Sequence, residues 1–213
     1  KQSGTLIYWF KEFLDKVGHD KATLIMHTDI KDVHGQDLEA IIHELGLTQG
    51  QVLFSQEKVS SHDLAAIYNA VDVTINISDA EGFGLATLES LYCGTPIVVN
   101  MTGGLQFQVT DGKKFFGAGL EPVSKAIIGS QQVPYIYEDR LSKEDFVAAL
   151  TKLYEMTPEE RTQLGAEGRD HALKEFNFED FVQRWDDLLT EIHETKGSWE
   201  TRTGYESYEM RTL

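Results

Sequence analysis

From Leu6 to Val17 the apolar positions Leu6, Ile7, Phe10, Phe13, Leu14 and Val17 recur with helical spacing, and Gly18 ends the stripe. Ala22–Met26 reads as a strand, Gln36–Leu45 as a helix and Val52–Phe54 as a short strand. Ser60 with Asp63 makes an N-cap pair for a helix over Asp63–Val71. Asp72–Ile77 alternates polar and β-branched residues, a helix follows over Gly84–Tyr92, and Pro96–Val99 is the next strand. Such alternation predicts an α/β fold, a Rossmann-like parallel sheet flanked by helices and joined by right-handed crossovers. Ligands bind such sheets at the carboxyl ends of the strands, where the loop from Ser78 to Gly84 falls.

Beyond Gly104 the pattern loosens, and Asp111–Gln132 reads as an extended, loop-rich insertion before a strand at Val133–Tyr137. Three helices with legible starts come next. Ser142 precedes Lys143–Met156, Thr157-Pro158-Glu159-Glu160 is a capping box with proline at the first helical position, and Asn177 precedes Phe178–His193. Residues 1–194 are therefore expected to form one ligand-binding domain. Residues 195–213 form a polar and aromatic tail without periodicity.

Composition narrows the possible partners. With 41% hydrophobic and 25% charged residues, and no apolar run long enough to cross a bilayer, the chain reads as a soluble globular domain without a transmembrane segment. Its 19 basic and 35 acidic side chains give a net charge of −16, which opposes binding to nucleic acid and to anionic lipid. A nucleotide is still admissible, because a few local amides and one lysine act inside a screening length of about 8–10 Å. Cys93 is the only cysteine, so there is no intrachain disulfide, and a reducing, cytoplasmic setting is expected. The seven histidines lack ligand spacing and no metal is expected. His27-Thr28-Asp29 falls at a strand end, where a polar loop start is the simpler reading. Trp9 and Trp185 fit apolar helix faces and read as core residues, whereas Trp199 lies in the tail.

The chemistry concentrates between Asp79 and Ser90, where two carboxylates, Glu81 and Glu89, stand eight residues apart around a Gly82-Phe83-Gly84 turn that opens a helix. Helix N-termini offer unpaired N–H groups and partial positive charge, and glycine lets a diphosphate approach them. A carboxylate one turn along such a helix, at Glu89, can accept hydrogen bonds from two vicinal hydroxyls of a ribose. The same turn also serves as a plain strand-to-helix connection, with Glu89 a solvated helix residue.

The wider string EGFGLATLESLYCGTPIVVNMTGG, from Glu81 to Gly104, resembles the signature of the GT-B glycosyltransferases, in particular the large retaining family whose donor-binding half carries an E-x7-E motif. The match covers Glu81, Gly82, Phe83, Gly84, Leu85, Glu89, Gly94, Pro96 and the Gly103-Gly104 pair, with weaker similarity from Lys1 to about Phe181. The resemblance implies that Glu81 contacts the transferred sugar near its reacting carbon and that Glu89 holds the ribose. Gly82, Phe83, Gly84 and Leu85, with Thr102, Gly103 and Gly104, would meet the sugar and diphosphate. Lys1, in a frame resembling the family's Lys-Gly-x-x-x-Leu-Leu with Gln2 in place of glycine, would neutralise the leaving group. Lys58 and Val59 fall where the family's base-contacting loop lies. Phe107 departs from the pattern, since an acidic residue is expected there. The implied activity is retaining transfer of a sugar from a UDP- or GDP-sugar to an acceptor hydroxyl, with the nucleotide sugar as substrate, no cofactor and no required metal.

Doubly wound order places the first strand centrally, yet none precedes the helix that starts near Leu6. The expectation is that Lys1 is internal to a longer polypeptide or that another chain supplies the strand, and that the acceptor-binding half is likewise missing. A catalytically silent nucleotide-sugar-binding module is the alternative. A nicotinamide dehydrogenase lacks its Gly-x-Gly-x-x-Gly after a first strand, and a purely structural interaction domain would not respond to nucleotide.

Overall fold

The computed structural model describes residues 2–33, 35–198, 200, 201 and 204. The chain divides into two compact bodies, one ending at Ala172 and the other starting at Leu173. Lys1, Trp199 and most of the expected tail lie outside the described residues.

In the first body, α1 (Ser3–Val17) forms on the predicted stripe, burying Ile7, Phe10, Phe13 and Leu14. Gly18 stops it at φ 114, where its N–H caps the Leu14 carbonyl. The strand β1 (Leu24–His27), the helix α2 (Leu38–Glu44) and the strand β2 (Val52–Ser55) follow, and the two strands pair in parallel with Leu24 opposite Val52. Helix α3 (Ser61–Ala70) starts where Ser60 Oγ accepts from the Asp63 N–H. Next come β3 (Thr74–Asn76), α4 (Leu85–Tyr92), β4 (Ile97–Asn100), α5 (Leu105–Val109) and β5 (Gly117–Leu120). Strands β3, β4 and β5 form a second parallel sheet with β4 in the middle. Ile97, Val98 and Val99 are fully buried, as both faces of a central parallel strand require.

Two elements fall inside the segment expected to be loop-rich. Strand β5 reads Gly-Ala-Gly-Leu, and a Cβ at Gly117 would overlap the Ile97 backbone, so close packing against β4 selects residues that propensity places in loops. Strand β6 (Ser124–Ile127) pairs antiparallel with β7 (Tyr137–Arg140). The strand expected at Val133–Tyr137 is therefore displaced to Tyr137–Arg140, since its register is set by β6 and not by the parallel sheet. Helices α6 (Lys143–Glu155) and α7 (Pro158–Glu175) begin at the predicted Ser142 and Thr157 caps. The core joins α1, β1, β4 and α6, with Trp9 tilted against Phe146 at 5.5 Å.

The second body holds α8 (Phe178–Lys196), capped by Asn177 Oδ1 accepting from the Asp180 N–H. Trp185, expected in the core, is 49% exposed and packs edge-on to Phe181 at 6.3 Å within the helix. Its helical spacing marks an apolar face, and spacing alone does not say whether that face is buried.

Candidate functional site

The loop leaving β3 carries the acids and the turn. Asn76, the last residue of β3, accepts the Ser78 N–H at 3.1 Å on Oδ1 and donates from Nδ2 to Glu81 Oε2 at 3.4 Å, which holds the half-buried Glu81 carboxylate over the strand end. Asn100, fully buried at the end of β4, donates to the Ser78 carbonyl at 2.9 Å and ties the loop to the neighbouring strand.

Gly84 then enters α4 in a left-handed conformation, φ 87 and ψ 65. A Cβ there would crowd the Leu105 side chain and lie 2.9 Å from Thr87 Oγ1, so the entry to the helix needs glycine sterically as well as conformationally. Fully buried Gln108 on α5 locks this entry. Its Oε1 accepts from Thr87 Oγ1 at 2.6 Å, and its Nε2 donates to the Phe83 and Gly84 carbonyls at 2.7 and 3.2 Å. The first N–H groups of α4 have no intrahelical acceptor, and those two carbonyls are engaged behind the turn.

The Thr102-Gly103-Gly104 loop closes the other side. Gly104 N–H donates to the Gly82 carbonyl at 2.8 Å, and a Cβ on Gly104 would lie 2.5 Å from Phe83 O and 3.0 Å from Gly82 O. Gly103 sits at φ 50, and its Cβ would overlap the Glu81 carbonyl. Backbone is thus packed on backbone, and Glu81, Gly82, Phe83, Gly84, Thr102, Gly103 and Gly104 share one small surface. Phe83 and Leu85 remain exposed on it.

Glu89 lies one turn into α4, exposed, and accepts from the Tyr68 hydroxyl of α3 at 3.0 Å. Burial, reinforced by the hydrogen bond to Glu89, pushes the Tyr68 phenol far above its ordinary range, so it stays a donor at any working pH. On the Glu81 side, Arg140 from β7 bridges Asp79 at 2.8 Å and Glu138 at 3.0 Å, and the Asp139 N–H donates to the Asp79 carbonyl at 3.0 Å. Gln2 Nε2, at the head of α1, also donates to Asp79. Gln2 is in a left-handed conformation, φ 59.

Other residues singled out in the sequence have different surroundings. Lys1 lies outside the described residues. Lys58 is exposed and Val59 half-buried in the loop after β2, and among the described residues no hydrogen bond or ion pair joins them to the Glu81 wall. Phe107 is 65% exposed, and its carbonyl lies 2.9 Å from His171 Nε2. His27 Nδ1 lies 2.9 Å from Ser55 Oγ, in keeping with a polar strand end. Burial raises the Cys93 thiol pKa, which disfavours a thiolate. Among the described residues no three His, Cys, Asp or Glu side chains converge to hold a metal ion, and no helix is long and apolar enough to cross a membrane. Sequence reasoning did not find Tyr68, Asn76, Asn100, Gln108 or Arg140. Tyr68 had a usable signal, its place on the predicted α3 helix, but Arg140 meets Asp79 through a hairpin that local pattern misplaced.

Comparison with known proteins places this surface in context. The model of the glycosyl transferases group 1 family matches residues 32–171. A D-inositol 3-phosphate glycosyltransferase from Streptosporangium roseum is 51% identical over 51 residues, 24% of this chain and 12% of that protein. Among solved structures, sucrose-phosphate synthase from Thermosynechococcus elongatus superposes with a TM-score of 0.64 at 21% identity, over 87% of this chain and 42% of that one. Anabaena HepE in complex with UDP and glucose superposes with a TM-score of 0.57 at 16% identity, over 86% of this chain and 52% of that one. The fold is that of the C-terminal half of GT-B glycosyltransferases. The chain spans far less than two thirds of these relatives' length.

Proposed function

The chain belongs to the glycosyl transferases group 1 family, and on that premise we propose that the surface from Glu81 to Glu89 binds a nucleotide-sugar donor for retaining transfer to an acceptor hydroxyl. The observation that carries this reading is the backbone lock between the Gly82-Phe83-Gly84 turn and Gly103-Gly104, which presents the α4 N-terminus between two carboxylates. Departure of a nucleoside diphosphate develops negative charge, and preorganised helix-terminal amides stabilise it at no cost in reorganisation. In this reading Glu89, held by Tyr68, accepts the ribose hydroxyls. Glu81, held by Asn76, accepts sugar hydroxyls and lies beside the positive charge that develops on the sugar ring. Lys1 is the proposed cation for the diphosphate, and Lys58 with Val59 the proposed base contacts. No metal or cofactor is required in this scheme. The UDP and glucose bound by HepE make UDP-hexoses the first donors to test, ahead of GDP- and ADP-sugars.

Calorimetry on two variants tests the assignment. A charge-assisted hydrogen bond is worth about 1.5–3 kcal/mol, so Glu89→Ala should weaken UDP binding roughly 10- to 100-fold. Glu81→Ala should leave UDP affinity nearly intact and abolish the extra affinity contributed by the sugar. Equal, negligible effects of both substitutions would overturn the proposal. A turnover assay with labelled donor, on this chain alone and joined to an acceptor-binding half, separates an enzyme from the alternative, a module that binds donor and transfers nothing.

A further inference from the structure

Strands β3, β4 and β5 lie side by side and parallel, so the segments that leave their carboxyl ends share one edge of the sheet. The first is the Glu81 loop, the second the Thr102-Gly103-Gly104 loop, and the third leads into the hairpin of β6 and β7. The hairpin does not stay over β5. The Asp139 N–H donates to the Asp79 carbonyl and Arg140 reaches the Asp79 carboxylate. Its base therefore crosses β4, a span of about 10 Å at ordinary strand spacing, and is bonded to the loop that carries Glu81. Outward from this base the arm is neutral. The twelve residues from Ala126 to Tyr137 include no acidic, basic or histidine side chain, in a chain of net charge −16. The charges beside the run cancel in pairs, Lys125 with Asp139 at 3.8 Å and Arg140 with Glu138 at 3.0 Å. Register sets Ile127 opposite Tyr137 on one face. Pairing continues through the Ile128 N–H on the Ile136 carbonyl, and the Ser130 N–H on the Val133 carbonyl closes the turn. Strand alternation puts Tyr135 on the face of Tyr137, and Gly129, next in register, has no side chain to cover its ring. Tyr135, Ile127 and Tyr137 are 76%, 61% and 59% exposed.

We infer that this hairpin is an acceptor-binding arm, and that the acceptor it selects carries an uncharged, apolar aglycone lying along Ile127, Tyr135 and Tyr137. The inference rests on the donor reading of the Glu81 surface and adds the class of the second substrate. Position supports it, because the base of the arm is bonded two residues from Glu81, where the transferred sugar would meet its acceptor. Tyr137 and Tyr135 stand about 7 and 13 Å outward from Asp139, within reach of the far end of a molecule whose hydroxyl is at Glu81. Chemistry supports it too. The face has no charged group to recognise a phosphate or carboxylate, and it gains by removing aliphatic and aromatic surface from water. A second copy of the chain is disfavoured as the occupant, since each copy brings sixteen net negative charges.

The test titrates octyl β-D-glucoside, held below its micelle-forming concentration, and methyl β-D-glucoside into the 213-residue chain, with and without UDP, and follows the backbone amides by NMR. The double variant Tyr135→Ser, Tyr137→Ser and the single variant Ile127→Glu, all at exposed positions, are titrated in the same way. The parent should bind the octyl glycoside about tenfold or more tightly than the methyl glycoside, and both variants should reduce that preference to below about threefold. The amide shifts specific to the octyl glycoside should fall on Ala126–Tyr137, and both variants should keep the parent's UDP affinity. UDP affinity reports the donor surface separately, so its absence beside an intact octyl preference would overturn the donor reading alone. Equal affinity for the two glycosides, or an octyl preference that survives both variants, would overturn the inference. Tighter binding of maltotriose than of the octyl glycoside would overturn it by assigning the tyrosines to a sugar chain. Cosedimentation with phosphatidylcholine vesicles that the variants lose would assign the arm to a membrane surface, and self-association that they lose would assign it to a second copy; either result overturns it.

Discussion

Gly104→Ala isolates the backbone lock, because Gly104 has an ordinary helical conformation, φ −69 and ψ −21, and alanine introduces no backbone strain there. The added methyl would lie 2.5 Å from Phe83 O, 2.8 Å from Phe83 Cα and 3.0 Å from Gly82 O, all main-chain atoms that cannot swing away. Ordinary contact begins near 3.4 Å, so the Gly82-Phe83 turn must retreat by about 0.6–0.9 Å, the differences between 3.4 Å and the two shorter distances. That movement strains the 2.8 Å bond from Gly104 N–H to Gly82 O and tilts the entry to α4. Overpacking of this kind costs about 1–3 kcal/mol of stability. Misplacement approaching 1 Å at a reacting site costs up to about 100-fold in activity, and a ten- to hundredfold fall in donor affinity or transfer is expected. Gly82→Ala is the internal control, since a Cβ there meets nothing within 4 Å, and its stability should stay within about 0.5 kcal/mol of the parent. Urea denaturation and calorimetry with UDP, run on both variants, measure the two quantities. If Gly104→Ala matches Gly82→Ala in both, the two loops do not form a rigid wall and the reasoning fails.

Three further outcomes follow from other contacts. Tyr68→Phe removes the donor that holds Glu89 and should weaken UDP binding about three- to tenfold. Because the folded-state phenol titrates above its unfolded value of 10.0, its stabilising contribution is complete below pH 10 and lost as pH rises beyond it, so the parent should lose more stability than Tyr68→Phe on going from pH 9 to pH 11. Arg140→Met strips the guanidinium from Asp79, whose side chain is only 13% exposed, and should cost about 1–2 kcal/mol in urea melts, moderated because Arg140 is itself 34% exposed; no measurable cost would show that the Gln2 amide satisfies Asp79 alone. Gln2→Gly relieves a left-handed backbone but loses the bonds to Asp79 and Thr5, whereas Gln2→Ala loses those bonds and keeps the strain. The alanine variant should therefore be the less stable by about 1 kcal/mol, and equal stabilities would remove strain from the account of that position.

Much of this architecture is legible in the sequence. The α1 stripe, the Ser60, Ser142, Thr157 and Asn177 caps, and the buried run at β4 are local signals, written within a few residues by helical period, side-chain oxygens and continuous hydrophobicity. The glycine turn and its two flanking glutamates were equally plain, because glycine at the entry to a helix answers a backbone requirement that exists wherever the residue occurs. Strand β5 escaped notice for the opposite reason. Its glycines are chosen by the proximity of β4, a neighbour twenty residues away in sequence at the Ile97–Gly117 pairing, and local propensity cannot register such a neighbour.

Periodicity and the steric freedom of glycine suffice for the fold class, the order of most elements and the residues at the glycine turn into α4. Tertiary structure alone decided what holds that turn. Gln108 behind it, Gly104 across it, Tyr68 on Glu89 and Arg140 on Asp79 come from four separate elements. Their meeting depends on sheet order and hairpin register.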